Sequence, residues 1–484
     1  MTSRYLAIDL GAESGRVMFG TLEDGRIALE ELARFSNTPI REGERMYWNI
    51  PSLLDGIRAG LGKAGSLGQP IISVSTCAWG VDYVLLDADG GIIEPVFHYR
   101  DPRTADGEKT ALSRVDWPTL FDETGIQYMM LNTSIQLCAE PPARLAKASR
   151  LLTVADAINH LLSGVGKIEV SMASTTQLYN PRLANWSHNL IDALALPRAL
   201  FPEVVDSGTL LGPLNSGMAA ETGLVGLNVV ASLSHDTASA VAAVPAEEER
   251  WAYISSGTWS LMGLELSEPI LTDACRELNF TNEIGHGGSI RLLKNIVGLW
   301  LVQECRRSWA ALDNDYSYGD LAEQAAAADP WRSVINPSDP RFLSPDNMPR
   351  RIADACRETG EPVPETPGAV VRCALESLAL LYARTLRESE QLVGWRADTV
   401  HIVGGGSRNA LLNQLTADAA KTRVVAGPTE ATASGNILVQ AITAGVVKDL
   451  AEARQIVRNS FDTKDYCPNP SDAIEAARVR FDQL

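Results

Sequence analysis

The chain carries one device twice: an apolar strand, a glycine turn set with small hydroxyl or acidic residues, and a second strand leaving the turn. The first copy reads Tyr5-Leu-Ala-Ile-Asp9-Leu-Gly11-Ala-Glu-Ser14-Gly15-Arg16-Val, and the second reads Tyr253-Ile-Ser-Ser256-Gly257-Thr258-Trp-Ser260-Leu. Glycine lets backbone approach a ligand without a Cβ in the way, and turn N–H groups with hydroxyls supply donors to anionic oxygens. Either turn alone reads equally well as a tight hairpin. At matching places in two halves, the pair predicts two lobes that hold one polyphosphate, and therefore a nucleotide.

The surrounding pattern supports two copies of a mixed α/β unit. Periodicity predicts strand 4–10, the glycine turn, strand 16–21, a turn at Asp24-Gly25, strand 26–32, helix 51–66 and strand 71–76, a β-β-β-α-β order. The second half opens with strands 251–256 and 259–266, then a strand at 289–293 and a helix from about Asn295. Apolar residues at Val371, Leu375, Leu378, Ala379, Tyr382 and Leu386 then recur at helical spacing until Gly394 stops the run. Strand 399–403, Gly404-Gly405-Gly406 and helix 409–420 follow. A chain of 484 residues exceeds one compact core, and at ~100–200 residues per domain it predicts two or three. The expected division is an N-terminal lobe over 1–245, a C-terminal lobe over 246–449 and a helical tail over 450–484 that packs back on the first lobe, with a cleft between the lobes. Prolines 330, 337, 340, 345 and 349 mark an irregular surface segment.

Charge limits the partners. A net charge of −18 argues against a general binder of nucleic acid or anionic membrane, because such surfaces need clustered Lys and Arg. An anionic ligand must then be held locally, by backbone amides, a few cations and a metal ion. No window holds eighteen apolar residues without charges, and the N-terminus enters a strand with no basic n-region or cleavage site. Seven scattered cysteines without CxxC spacing fit reduced thiols. A cytoplasmic location is the expectation.

Several residues could carry chemistry. Asp9 ends the first strand, where its carboxylate either holds Mg²⁺ or bonds the N–H groups of its own turn. Ser234-His235-Asp236-Thr237 follows an apolar strand and opens a small-residue helix. Asp236 there can cap the helix, or accept a proton from an attacking hydroxyl with the helix N-terminus keeping it ionised, and both can hold together. His, Asp and Thr in succession also offer the dense donors and acceptors that a polyhydroxylated ligand requires. Trp79-Gly80 lies at another strand end, where the indole suits either the core or the apolar face of a sugar. Asn295 and Gln303, eight apart, would sit about 80° apart around one helix, facing a ligand or solvent. Gly404-Gly405-Gly406 could let an adenine or ribose lie against bare backbone, though the run is not a dinucleotide fingerprint.

Together these strings identify a resemblance. Ile8-Asp-Leu-Gly-Ala-Glu-Ser-Gly-Arg16, Trp79-Gly-Val-Asp82, Ala173-Ser-Thr-Thr-Gln177, Ser234-His-Asp-Thr237, Ser255-Ser-Gly-Thr-Trp-Ser-Leu-Met-Gly263, Leu293-Lys-Asn-Ile-Val-Gly-Leu-Trp300 and His401-Ile-Val-Gly-Gly-Gly406 resemble the FGGY carbohydrate kinases of the actin and sugar-kinase superfamily. The Ser-His-Asp-Thr and Ser-Gly-Thr-Trp-Ser-Leu-Met-Gly strings are most similar to the narrower group of L-rhamnulose kinases. The resemblance implies two actin-like, ribonuclease H-like lobes and transfer of the γ-phosphoryl of ATP to the 1-hydroxyl of L-rhamnulose. Another ketose, L-fuculose or L-xylulose, is the alternative substrate, and an actin- or chaperone-like ATPase the more distant reading. It further implies Asp236 as proton acceptor, with Gly80, His235, Thr237 and Asn295 as sugar contacts. Ala12, Glu13, Ser14, Gly15, Arg16, Thr258, Gln303, Gly404 and Gly405 would contact ATP, and Asp9 would serve Mg²⁺. A monomer or small homo-oligomer is implied. Glu13 departs from the pattern, because many relatives carry a small hydroxyl residue there.

Overall fold

The computed structural model describes residues 2–343 and 345–484, which form two compact units. The first unit comprises the chain up to Pro245 together with Glu265–Leu292 and Ala431–Ser460. The second comprises Ala246–Leu264, Leu293–Glu430 and Phe461–Leu484. Both are therefore discontinuous, whereas the sequence led us to expect continuous lobes divided at 245 and 449. The C-terminal stretch is split as well: helix Leu450–Ser460 belongs to the first unit, and strand Lys464–Tyr466 with helix Asp472–Phe481 to the second.

A six-stranded sheet forms the core of the first unit, in the order Thr209–Pro213, Asn228–Ala231, Ser73–Ala78, Ser3–Leu10, Ser14–Glu23, Arg26–Ser36. Asn228–Ala231, Ser73–Ala78 and Ser3–Leu10 run parallel, and the flanking strands are antiparallel. Tyr5, Leu6, Ala7, Ile8 and Leu10 are fully buried, as a near-continuous apolar run covered on both faces must be. Helix Ile50–Ser66 starts where the Asn49 side chain accepts from Ser52 N at 3.1 Å, with a proline in its first turn. It buries Ile50, Leu53, Ile57, Leu61 and Ala64, spaced three and four apart on one stripe. Each of the larger of these contributes about 1.5–3 kcal/mol on leaving water. Helix Ala431–Thr443 packs so closely on helix Asp236–Ala242 that a Cβ on Gly435 would lie 1.8 Å from the Ser239 carbonyl oxygen. Its Gln440 ties it to the sheet, donating to Leu6 O at 2.9 Å and pairing with Ser73 Oγ at 2.7 Å.

Within the second unit the same local topology recurs. Trp251–Ser256 pairs antiparallel with Trp259–Leu266 on one side and parallel with Thr399–Val403 on the other, and Arg423–Ala426 and Lys464–Tyr466 extend the sheet. The first sheet places Ser3–Leu10 in the same relation to its hairpin partner and its parallel neighbour. The 27-residue helix Pro367–Val393 begins at the Thr366 cap and ends at Gly394, whose φ of 76° is the left-handed value that a glycine adopts without strain. Ser260 Oγ and Tyr382 OH meet at 2.6 Å to fix that helix against the sheet.

One helix begins later than the sequence predicts. Asn295 lies in strand Ile290–Val297, and the helix begins only at Trp300 and runs to Ala310. Asn295 and Gln303 therefore do not share a helix. The reason is local: Gly298 interrupts the run, with its N–H bonded to Thr258 O at 3.2 Å, and Trp300 N bonds the same carbonyl at 3.1 Å to start the helix. Among the described residues no helix is long and apolar enough to cross a membrane.

Candidate active site

Three parallel strands of the first unit deliver three candidate residues to one edge of its sheet. Asp9 sits near the end of Ser3–Leu10, opposite Cys77; Gly80 follows Ser73–Ala78; Asp236 follows Asn228–Ala231. Ala78 N donates to Ser234 O at 2.8 Å, which joins the second and third of these strand ends. The carboxyl edge of parallel strands is where open α/β sheets bind ligands, because the chain leaves it in loops and helix N-termini.

Asp236 is the first residue of helix Asp236–Ala242. Its Oδ1 accepts from Thr237 N at 2.6 Å and Thr237 Oγ1 at 3.3 Å, and His235 Nε2 lies 3.4 Å away. None of these groups bonds Oδ2. Solvent touches 31% of the side chain, yet protein crowds it enough that burial, seconded by the Asp9 carboxylate, raises its pKa to about 7. The Thr237 bonds and the Arg291 charge act in the opposite direction and do not overcome burial. Asp9 is nearly buried and pairs with Arg16 across the hairpin, where the two residues are register partners. Arg16, expected on ATP, thus has a carboxylate partner already.

His235 is buried between charged groups. Its Nδ1 lies 3.1 Å from an Arg291 guanidinium nitrogen, and that nitrogen is 3.0 Å from Glu283 Oε2. Burial and the Arg291 charge hold the imidazole pKa well below its usual value, so the ring is neutral at pH 7. Gly80 leaves room beside it, since a Cβ there would lie 3.3 Å from both His235 Nε2 and Thr175 Cβ. The next residue, Val81, has φ +69°, a left-handed conformation costly for a β-branched side chain. Val81 O accepts from Thr133 Oγ1 at 2.6 Å, and Asp82 Oδ2 takes the indole N–H groups of Trp48 at 2.6 Å and Trp79 at 2.9 Å. Trp79 is therefore a core residue anchored by Asp82, 7% exposed and packed on Trp48.

Behind the Ser234-His235-Asp236 turn stand two buried carboxylates. Ser234 Oγ donates to Asp156 Oδ1 at 2.9 Å, Ser234 N to Glu169 Oε2 at 3.0 Å, and His235 N to Ser171 Oγ at 3.1 Å. Ser171 Oγ in turn donates to Glu169 Oε2. Burial raises Asp156 to about 7 and Glu169 to about 8. A carboxyl raised in this way stabilises the fold below the free-glutamate pKa, and its contribution is lost as pH climbs toward about 8. In Glu169→Gln the melting temperature relative to the parent should therefore rise between pH 5 and pH 9. A difference that stays flat over that range would mean that Glu169 does not titrate there.

The turns assigned to nucleotide differ in how open they are. In the first unit Gly11 N donates to Ser14 O at 2.9 Å and Asn37 N to Glu13 O at 2.9 Å, while the Glu13 residue is exposed. Ala12 and Ser14 are half-buried beside it. A Cβ on Gly15 would meet the Phe35 ring at 2.2 Å, so its smallness also serves packing. In the second unit Gly404 and Gly406 press on Ser256, whereas nothing lies within 4 Å of the position a Gly405 Cβ would take. Thr258 lies in the turn bonded to the start of helix Trp300–Ala310, which carries Gln303. Gln303 Oε1 is buried with no donor among the described residues, as a group waiting for a ligand would be.

Sequence reading missed Arg291, Glu283, Asp156 and Glu169. The signal was a lone charge within an apolar run, as in Ser-Ile-Arg-Leu-Leu and Ile-Glu-Val, since a charge in a buried element must find a partner.

Matches with known proteins bear on this arrangement. The N-terminal domain of the FGGY family of carbohydrate kinases matches residues 4–243, and its C-terminal domain matches 252–444. A protein named rhamnulokinase from Bacteroides thetaiotaomicron is 42% identical over 484 residues, 99% of each chain. One of the same name from Bacillus subtilis is 41% identical over 471 residues, covering 97% of this chain and 96% of the relative. Among solved structures, xylulose kinase from Lactobacillus acidophilus aligns over 99% of this chain and 96% of its own at a TM-score of 0.80, with 13% identity. Plasmodium falciparum glycerol kinase with ADP aligns over 100% and 97%, also at 0.80, with 12% identity. Those two share the fold. With both family domains matched in order and full-length relatives above 40% identity, the chain belongs to the FGGY family of carbohydrate kinases.

Proposed function

We propose that this kinase transfers the γ-phosphoryl of ATP to the 1-hydroxyl of L-rhamnulose, giving L-rhamnulose 1-phosphate and ADP. The observation that carries the reading is the Asp236 carboxylate, with Oδ1 saturated by Thr237 and Oδ2 left open, in a chain 42% identical over its length to a rhamnulokinase. Phosphoryl transfer is mostly positioning and charge neutralisation. Asp236 accepts the proton of the attacking hydroxyl at Oδ2. Gly80, His235, Thr237 and Asn295 are assigned to the sugar, and Ala12, Glu13, Ser14, Gly15, Arg16, Thr258, Gln303, Gly404 and Gly405 to ATP.

Asp9 is the residue assigned to Mg²⁺. No cluster of three or more His, Cys, Asp or Glu suited to a metal exists among the described residues. Mg²⁺ binds through one or two carboxylates and otherwise keeps waters or substrate phosphates, so a single Asp9 carboxylate can serve it. When bound, the ion neutralises phosphate charge. The remaining assignments are a cytoplasmic enzyme, a monomer or small homo-oligomer, with L-fuculose or L-xylulose as the competing substrates.

ADP release measured with and without L-rhamnulose tests the reading, and we expect sugar-dependent release. Faster initial rates with L-fuculose or L-xylulose across a ketose panel would reassign the substrate. Equal release without any sugar would instead favour an actin- or chaperone-like ATPase.

A further inference from the structure

The groups behind His235 specify more than burial. An arginine only donates, so the 3.1 Å contact from Arg291 to His235 Nδ1 is a hydrogen bond only when Nδ1 is bare. In a neutral ring the single hydrogen then sits on Nε2, the atom 3.4 Å from Asp236 Oδ1. Glu283 Oε2 stands 3.0 Å from the same Arg291 nitrogen and 3.4 Å from His235 Nδ1. Glu283 is thus placed to balance the guanidinium, but it could also draw the hydrogen to Nδ1 if Arg291 were absent. Arg291 is fully buried, and it also reaches Ile284 O at 3.3 Å, which fixes its plane.

We infer that Arg291 is a positioning residue for phosphoryl transfer: by donating to His235 Nδ1 it sets the Nε2–H tautomer, so that the imidazole donates toward Asp236 Oδ1 and the incoming alcohol. Glu283 has the companion role of neutralising Arg291. This rests on the reading of Asp236 as the base. The arrangement leaves Oδ1 with donors only, from Thr237 and His235, and concentrates the accepting capacity of the carboxylate on Oδ2. The other tautomer would turn a bare Nε2 lone pair toward the carboxylate, and two acceptors would face each other across 3.4 Å.

The test is long-range ¹H–¹⁵N correlation on the full-length protein with labelled histidine, His235 being assigned by its loss in His235→Gln, alongside kcat and KM for L-rhamnulose. The parent should show Nε2–H and a bare Nδ1. Arg291→Met should shift the ring to Nδ1–H or to a mixture and lower kcat on the order of tenfold or more with a smaller change in KM. Arg291→Lys, which keeps one donor, should restore part of both. Should Arg291→Met fail to fold, Arg291→Lys and Glu283→Gln carry the measurement. An Nδ1–H or doubly protonated His235 in the parent would overturn the inference, as would an unchanged tautomer with unchanged kcat in the Arg291 variants. Failure of the Asp236 reading is separable, because the tautomer can be read in Asp236→Asn whether or not that variant is active.

Discussion

Asp236→Asn should lower kcat for L-rhamnulose phosphorylation by about 10²- to 10⁴-fold, the range lost with a general base. The substitution keeps the shape of the side chain and an oxygen for Thr237 N, whose bond to Oδ1 is 2.6 Å, so the melting temperature should stay close to the parent. What disappears is the capacity to take a proton at the second position. Steady-state kinetics with a thermal melt on the same sample checks both halves, and near-normal turnover in a folded variant would remove Asp236 from the mechanism. The parent carries a matching signature. Because burial and the Asp9 charge favour the protonated carboxyl, the ligand-free enzyme loses the base as pH drops through about 7, and kcat/KM should fall on that acid side.

Gly435→Ala should be among the most damaging small substitutions away from the chemistry. Its new Cβ would lie 1.8 Å from Ser239 O and 2.7 Å from the Ser239 carbonyl carbon, and backbone cannot swing aside as a side chain can. The two helices must separate, at a cost of about 1–3 kcal/mol or somewhat more for an overpacked contact. Ser239 belongs to the helix that Asp236 begins, so the shift reaches Asp236 as well. We expect a lower melting temperature and a reduced kcat together. Parent-like values of both would mean that the contact is looser than its geometry.

The fold was legible wherever an apolar run met a glycine or a cap. Strands 251–256, 259–266 and 399–403 fall where the pattern puts them, and Gly394 ends the long helix as expected. Ile290–Val297 was misread past residue 293 because Lys294 and Asn295 interrupt its apolar pattern. Lys294 is tolerated there because Glu388 lies 2.7 Å away, a partner remote in sequence. The site follows the same rule. Asp9 and Asp236 stand out as carboxylates at the ends of apolar strands, but Arg291, Glu283, Asp156 and Glu169 acquire meaning only from groups that the fold brings up. Gly15 illustrates the converse. Its place in a phosphate-type turn suggested close approach of a ligand, and the fold adds a packing reason, the Phe35 ring standing where a Cβ would lie.

The return of Ala431–Ser460 to the first unit has a consequence for how the protein is made. Val439 completes an apolar cluster with Leu233, Ala238 and Ala242, and Leu450 packs against it. A ribosome that has finished Pro245 must add the whole intervening stretch before those residues emerge, on the order of ten to forty seconds at typical elongation rates. Through that interval the nascent chain carries an uncovered apolar face beside the helix that Asp236 begins. For the same reason, severing the gene at the apparent domain border would yield a fragment missing its own lining.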